Sequence, residues 1–221
     1  GTGGGKYSVE YRTENLSYAV IVGSTVASGK ITGIDVADAM LADGVLEIMT
    51  HHNKPTVAGL ASEEKIKESR IGLPVLHTDS IYFKGQPVAV VIAKTLEEAQ
   101  YAASLVKTLY QQTKANVDFK NTHSLVPLKN EGKERGNIEN WKNSAFNLEE
   151  EYHIEGEVHH PMEMHATIAI WNGDDKLKLY DKNQGVNGVQ NTVGKLFGLQ
   201  TKNIEVITEF MGGGFGSGLR V

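Results

Sequence analysis

Cysteine is absent from all 221 residues. That excludes structural disulfides, a thiolate-held zinc, a catalytic thiol and any iron–sulfur cluster ligated by cysteines of this chain. Long apolar runs are missing too. A stretch such as Pro87-Val88-Ala89-Val90-Val91-Ile92-Ala93 has the length of a strand and is far too short to span a bilayer, so no membrane insertion is expected. No Lys/Arg cluster occurs and the net charge is −5, which removes the electrostatic footprint of a nucleic-acid binder. The opening Gly1-Thr2-Gly3-Gly4-Gly5 has neither an initiator Met nor a signal-peptide pattern, so a processed end or a cut within a longer protein is expected. Cysteine usage does not decide the compartment; the cytoplasm is expected, with the periplasm as the alternative.

What is present is ordinary for a soluble chain of one or two domains: 40% apolar and 22% charged residues. Strands are expected at Tyr7–Tyr11, Leu16–Gly23, Lys30–Val36 and Val45–Thr50, with Asp35 capping a short helix that ends near Gly44. His51 to Asp79 reads as loop. Pro87–Ala93 is a strand, and Thr95-Leu96-Glu97-Glu98 is a capping box opening a helix whose Leu96, Ala99, Ala102, Ala103 and Val106 share a face; Leu109-Tyr110 closes this strand–helix module. Lys114–Ser144 is polar and reads as a linker or surface wrap. Glu149–Ile154 is expected as a polar-edged strand. Thr167–Trp171 and Leu177–Tyr180 form a hairpin around Asn172-Gly173-Asp174-Asp175. A helix follows from Val186 to Phe197 with Gly198 beyond its end, and a strand from Asn203 leads into Met211-Gly212-Gly213-Gly214-Phe215-Gly216-Ser217-Gly218.

That glycine-rich loop has almost no side-chain bulk and lets backbone N–H groups approach a ligand closely. It is not a P-loop, since no Gly-Lys-Ser/Thr follows, and its spacing is not that of a Rossmann fingerprint. By itself it reads equally well as a disordered tail. Gln184 precedes a helix and has two readings: a polar residue satisfying free helix N–H groups, or an amide presented at a strand-to-helix junction where ligands of α/β folds gather. His153, His159, His160 and His165, with Glu163 among them, lack a recognised metal-ligand spacing; turn or buried hydrogen-bonded histidines are the favoured reading. Glu163 has no spaced partner for acid–base work and is expected to be solvated or capping. His51-His52 is expected in an exposed loop.

Three segments together resemble the molybdenum-binding subunit of the xanthine dehydrogenase/aldehyde oxidase family, in its bacterial aldehyde-oxidoreductase form. They are Met162-Glu163-Met164-His165-Ala166-Thr167-Ile168-Ala169-Ile170-Trp171, Asn183-Gln184-Gly185-Val186 and Met211-Gly212-Gly213-Gly214-Phe215-Gly216. Ser24-Thr25-Val26-Ala27-Ser28-Gly29-Lys30-Ile31 and Gly85-Gln86-Pro87-Val88-Ala89-Val90-Val91 are similar to the family's α/β hammerhead domain. The resemblance implies an α/β (α+β) fold with a hammerhead domain over 1–118, a linker over 119–147 and the beginning of a molybdopterin-binding domain over 148–221.

It also implies a molybdenum–pyranopterin cofactor with no direct protein ligand to the metal. Gln184 would hydrogen-bond an oxygen on molybdenum, and Gln184, Gly185, Gly213, Gly214, Phe215 and Gly216 would contact the cofactor. The family reaction is oxidative hydroxylation of an aldehyde or N-heterocycle, with electrons leaving through iron–sulfur and FAD centres that would sit on partner subunits rather than on this chain. Three departures stand out. Gly218, followed by Leu219, stands where a lysine is usual after Gly-Phe-Gly-x, Met164 replaces a proline common in bacterial aldehyde-oxidising members, and the family's catalytic glutamate is expected downstream of Val221. The chain is therefore expected to be the N-terminal portion of a larger subunit and inactive alone; the alternative is a non-catalytic scaffold or interaction module derived from the family.

Overall fold

The structure is a computed structural model describing residues 3–69, 73–117, 133 and 135–219. The chain divides into two compact units, one formed by residues 1–114 with 159–221 and the other by 115–158.

The first unit carries three three-stranded sheets. In the first, β5 (Pro87–Ala93) lies between β1 (Tyr18–Gly23) and β3 (Val45–Thr50), antiparallel to both. The unbroken apolar run of β5 has a two-sided explanation. Ala89 and Val91 join Ile48 beneath α1 (Ala37–Met40) and α3 (Leu96–Leu105), while Val88 packs with Ile31 and Ile81 of the second sheet. That second sheet orders β4 (Ser80–Ile81), β2 (Gly29–Asp35) and β6 (Lys107–Gln112). The helix α3 begins as the sequence demands: the Thr95 hydroxyl accepts from Glu98 N at 3.2 Å and the Glu98 carboxylate accepts from Thr95 N at 3.0 Å.

The third sheet positions the site. The hairpin β7 (Thr167–Asn172) and β8 (Lys176–Asp181) is antiparallel, and β9 (Ile204–Ile207) lies parallel to β8 on its other side. The crossover between β8 and β9 is α4 (Val186–Phe197), which ends at Gly198 in the left-handed conformation, φ 69°. Leu177, Leu179, Val189, Val193 and Ile204 form the core between α4 and this sheet.

Four local expectations are corrected. Tyr7–Tyr11 is not a strand: Ser8–Glu10 is a 3-10 turn in which Tyr7 N donates to the Glu10 carboxylate at 2.7 Å. The loop-like stretch before Asp79 contains α2 (Glu63–Ser69) and a 3-10 turn, Ala58–Leu60. Leu109 and Tyr110 do not close a strand–helix module; they belong to β6, which pairs with β2. Glu149–Ile154, in the second unit, makes no ladder among the described residues. Among the described residues of that unit the one assigned element is the 3-10 segment Ile138–Asn143, where the Asn137 side chain accepts from Glu139 N at 3.0 Å. Within the polar stretch expected as linker, residues 118–132 and 134 lie outside the described residues.

Candidate functional site

Loops at the carboxyl ends of adjacent parallel strands are brought side by side, and a crossover helix starting there presents its N-terminus to the same place. Here those loops are residues 182–185 after β8 and the glycine loop after β9. Asn183, 5% exposed, ties the three elements together. Its amide donates to Asp181 Oδ2 at 2.9 Å and Thr208 Oγ1 at 2.7 Å, and its oxygen accepts from Gly185 N at 2.9 Å.

Gln184 does not cap the helix. Its Oε1 accepts from Gly216 N at 3.0 Å and Gly218 N at 3.1 Å, and its backbone N donates to Gly218 O at 2.9 Å. Because both side-chain partners are N–H donors, only the carboxamide oxygen can face them, which fixes the amide orientation by chemistry. The Nε2 group has no acceptor among the described residues. Neither have the N–H groups of Gly213, Gly214 and Phe215.

The glycine loop is ordered, and its glycines are there for different reasons. Gly213 and Gly216 adopt φ 94° and 92°, where a side chain would be strained, and Phe215 is held at φ 52° with its ring 73% exposed. Gly214 has no such φ; a Cβ there would stand 2.4 Å from Gln184 Cδ. A Cβ at Gly185 would meet nothing within 4 Å. At Gly212 a Cβ would lie 2.7 Å from Glu163 Cβ.

Glu163 is not solvated. It is 2% exposed, and its two oxygens accept from Ser8 N at 3.2 Å and Gly212 N at 2.9 Å, while its own N donates to Gly212 O at 3.0 Å. With both oxygens spent on backbone donors, it works as a staple joining the N-terminal turn to the base of the glycine loop. Lys182 is also buried, 4% exposed, with Nζ 3.1 Å from Ser217 Oγ. Neither the depth of Glu163 nor the reach of Lys182 was legible in the sequence, since both depend on partners far along the chain.

The histidines do not converge. Among the described residues no group of three or more His, Asp or Glu side chains could hold a metal ion. His153 pairs with Glu155 at 3.0 Å on the surface. His51 departs from the exposed loop expected of it. It is half-buried against the His52 ring, 3.9 Å away, and its Nδ1 is buried without a partner. Burial, and secondarily the neighbouring His52, holds its pKa below the ordinary histidine value.

Two adjacent carboxyl-end loops with unspent donors, one glycine-rich and one carrying a locked carboxamide, define an α/β ligand-binding unit. Comparison with known proteins narrows this class. The family model "Aldehyde oxidase and xanthine dehydrogenase, a/b hammerhead domain" matches residues 2–114, and "Molybdopterin cofactor-binding domain" matches residues 121–220. The chain belongs to the aldehyde oxidase and xanthine dehydrogenase family.

Among its relatives, the aldehyde oxidoreductase molybdenum-binding subunit PaoC of Escherichia coli O157:H7 is 32% identical over 99% of this chain. The xanthine dehydrogenase/oxidase of Gallus gallus is 30% identical over 92%. The chain spans 29% of the first relative's length and 15% of the second's. In fold, it is similar to quinoline 2-oxidoreductase from Pseudomonas putida 86, with a TM-score of 0.71 at 22% identity, over 99% of this chain and 30% of that one. It is also similar to the aldehyde oxidoreductase of Desulfovibrio gigas, with a TM-score of 0.68 at 20% identity, over 93% and 24%. Among the described residues no helix is long and apolar enough to cross a membrane.

Proposed function

We propose that this chain is the N-terminal part of a molybdenum hydroxylase large subunit that oxidatively hydroxylates an aldehyde or N-heterocycle. The hammerhead domain is assigned to 1–118 and the start of the cofactor domain to 148–221, with a linker between. The observation that carries the reading is the carboxamide of Gln184: its oxygen is committed to Gly216 N and Gly218 N, so its nitrogen is left as a free donor at the carboxyl end of β8.

The donor set fits a molybdenum–pterin group. That group needs no ligand from the chain, and it presents oxygen acceptors that unspent N–H groups can meet. The cofactor, when bound, supplies the oxidising centre of the hydroxylation. Gln184 Nε2 would then donate to an oxygen of that group. Gly213 to Gly216, with Gly185 opposite, offer backbone donors and the absence of side chains that lets a large flat group lie close. Phe215, held outward in a left-handed conformation, provides apolar surface beside it. Iron–sulfur and flavin partner subunits carry the electrons away, in the cytoplasm or the periplasm.

The test is made on the native polypeptide: intact mass, with molybdenum and pterin measured on the same sample, and turnover of Gln184→Ala. Stoichiometric molybdenum and a roughly hundredfold to thousandfold loss of kcat are expected, the scale seen for removal of one preorganised donor. Wild-type turnover in Gln184→Ala would remove the role given to its amide.

A further inference from the structure

A buried lysine beside the glycine loop is not used by the reading above. Lys182 is 4% exposed, yet among the described residues its ammonium has no carboxylate within ion-pair distance and a single acceptor, Ser217 Oγ at 3.1 Å. Burying an ammonium with so little compensation is costly and is rarely kept for stability alone. The Ser217 hydroxyl donates in turn to Gly214 O at 2.8 Å, and Ser217 N donates to the same carbonyl at 2.8 Å. An ammonium cannot accept, so the direction is fixed: Lys182 to Ser217 to Gly214.

Ser217 stands between the two residues that orient Gln184. Gly216 N and Gly218 N converge on Gln184 Oε1 from either side of it. Lys182 and Gln184 therefore grip three consecutive loop residues from one strand end, while Asn183 between them turns away toward Asp181 and Thr208. The loop so held includes Phe215, in a conformation side chains rarely adopt. The bonds from Ser217 N and Oγ to Gly214 O close the turn around Phe215, and the Lys182 ammonium on Ser217 Oγ ties that turn to the end of β8. Gly218 touches the same strand end: a Cβ there would lie 3.3 Å from Asn183 Cα.

We propose that Lys182 is the positioning residue of the site: its ammonium, acting through Ser217, holds the loop in the conformation that locks the Gln184 carboxamide with its nitrogen outward. This rests on the role proposed for Gln184, and the experiment separates the two. In the full-length protein, Lys182→Met keeps the stem and removes the donor. Since Lys182 has no paired carboxylate among the described residues, the substitution leaves no uncompensated buried charge, and the thermal midpoint is expected to hold.

The Gly216 and Gly218 amides are expected to lose roughly tenfold to hundredfold of their hydrogen-exchange protection, the effect of one charge-assisted hydrogen bond, while Val206 in β9 keeps its own. kcat should fall with KM and cofactor content unchanged, and Lys182→Arg, which retains a charged donor, should restore part of both. Should Lys182→Met fail to fold, Ser217→Ala carries the test, with the same exchange signature expected. Unchanged protection of Gly216 and Gly218 overturns the proposal. So does unchanged turnover in a protein whose Gln184→Ala variant is impaired. Loss of protection together with wild-type turnover in Gln184→Ala would leave Lys182 as the loop's anchor and remove the cofactor role of Gln184 instead.

Discussion

Gly214→Ala offers a direct test of the site geometry, because the substitution asks one question. The backbone at 214 is not in the left-handed region, so an alanine brings no conformational strain. Its Cβ, however, would stand 2.4 Å from Gln184 Cδ and 2.6 Å from Nε2, where carbon atoms normally keep about 3.5–4.0 Å. The carboxamide must move by about 1 Å or more, and its two bonds from Gly216 N and Gly218 N go with it. At about 0.5–1.5 kcal/mol each, this is a loss of about 1–3 kcal/mol.

For a chain of this size, about 2–4 °C of Tm per kcal/mol converts that to a drop of a few degrees, readable by calorimetry. Turnover should fall with it, roughly a hundredfold or more, as the preorganised donor leaves its place. The control is Gly185→Ala. A Cβ there meets nothing within 4 Å, and a φ of −167° is extended backbone that any residue adopts, so its stability should stay within about 0.5 kcal/mol of wild type. A Gly214→Ala protein with wild-type Tm and kcat would refute the reasoning. Equal destabilisation of the two alanine variants would do the same.

Glu163→Gln should destabilise by about 1.5–3 kcal/mol, since its amide nitrogen must face either Ser8 N or Gly212 N and leaves a buried donor unsatisfied; an unshifted urea midpoint would count against the staple. Gln184→Glu should keep the loop, because a carboxylate accepts the same two N–H groups, and should lose turnover as severely as Gln184→Ala. If its activity matches wild type, the amide nitrogen is not the working atom. His51 has a folded pKa below its ordinary value of 6.5, so the neutral form is favoured in the fold. Its contribution to stability is whole above that value and drains away as pH falls below it, because the unfolded chain then binds the proton more readily. Tm measured from about pH 7.5 to about pH 5 should fall less steeply in His51→Leu, and parallel curves would exclude the effect.

The parts of the fold legible in sequence are those whose signals are local. The capping box at Thr95, the turn at Gly173 and the left-handed Gly198 each act within a few residues, and the elements they bound follow them. The misread parts have distant partners. Tyr7–Tyr11 alternates like a strand, but Ser8 N is taken by Glu163, 155 residues away, and the turn closes on Glu10 instead. Leu109 and Tyr110 look like the end of a helix unit because their partners, Gly33 and Ile31, come some eighty residues earlier. At the site, the pairing of Gln184 with the glycine loop was implied by resemblance alone, since spacing says nothing of which loops meet. That β8 and β9 are parallel neighbours is a tertiary fact, and from it the meeting follows. Lys182 had no signal at all: a lysine after an alternating strand is ordinarily exposed.

The loop by itself does not require glutamine at 184. It requires an acceptor reaching Gly216 N and Gly218 N, and a carboxylate meets that need with a stronger, charge-assisted bond to each donor. Stability alone would therefore favour glutamate there, the more so with the Lys182 ammonium anchored on Ser217 between the two amides. Glutamine gives up that gain and in return leaves a donor facing outward. A carboxylate in its place would point a second acceptor at any oxygen-rich group held by the free N–H groups of Gly213, Gly214 and Phe215, and would repel it. Under the role proposed for Gln184, the identity of residue 184 is set from outside the fold, by a partner that accepts hydrogen bonds, while its orientation is set from inside, by backbone donors on either side of Ser217.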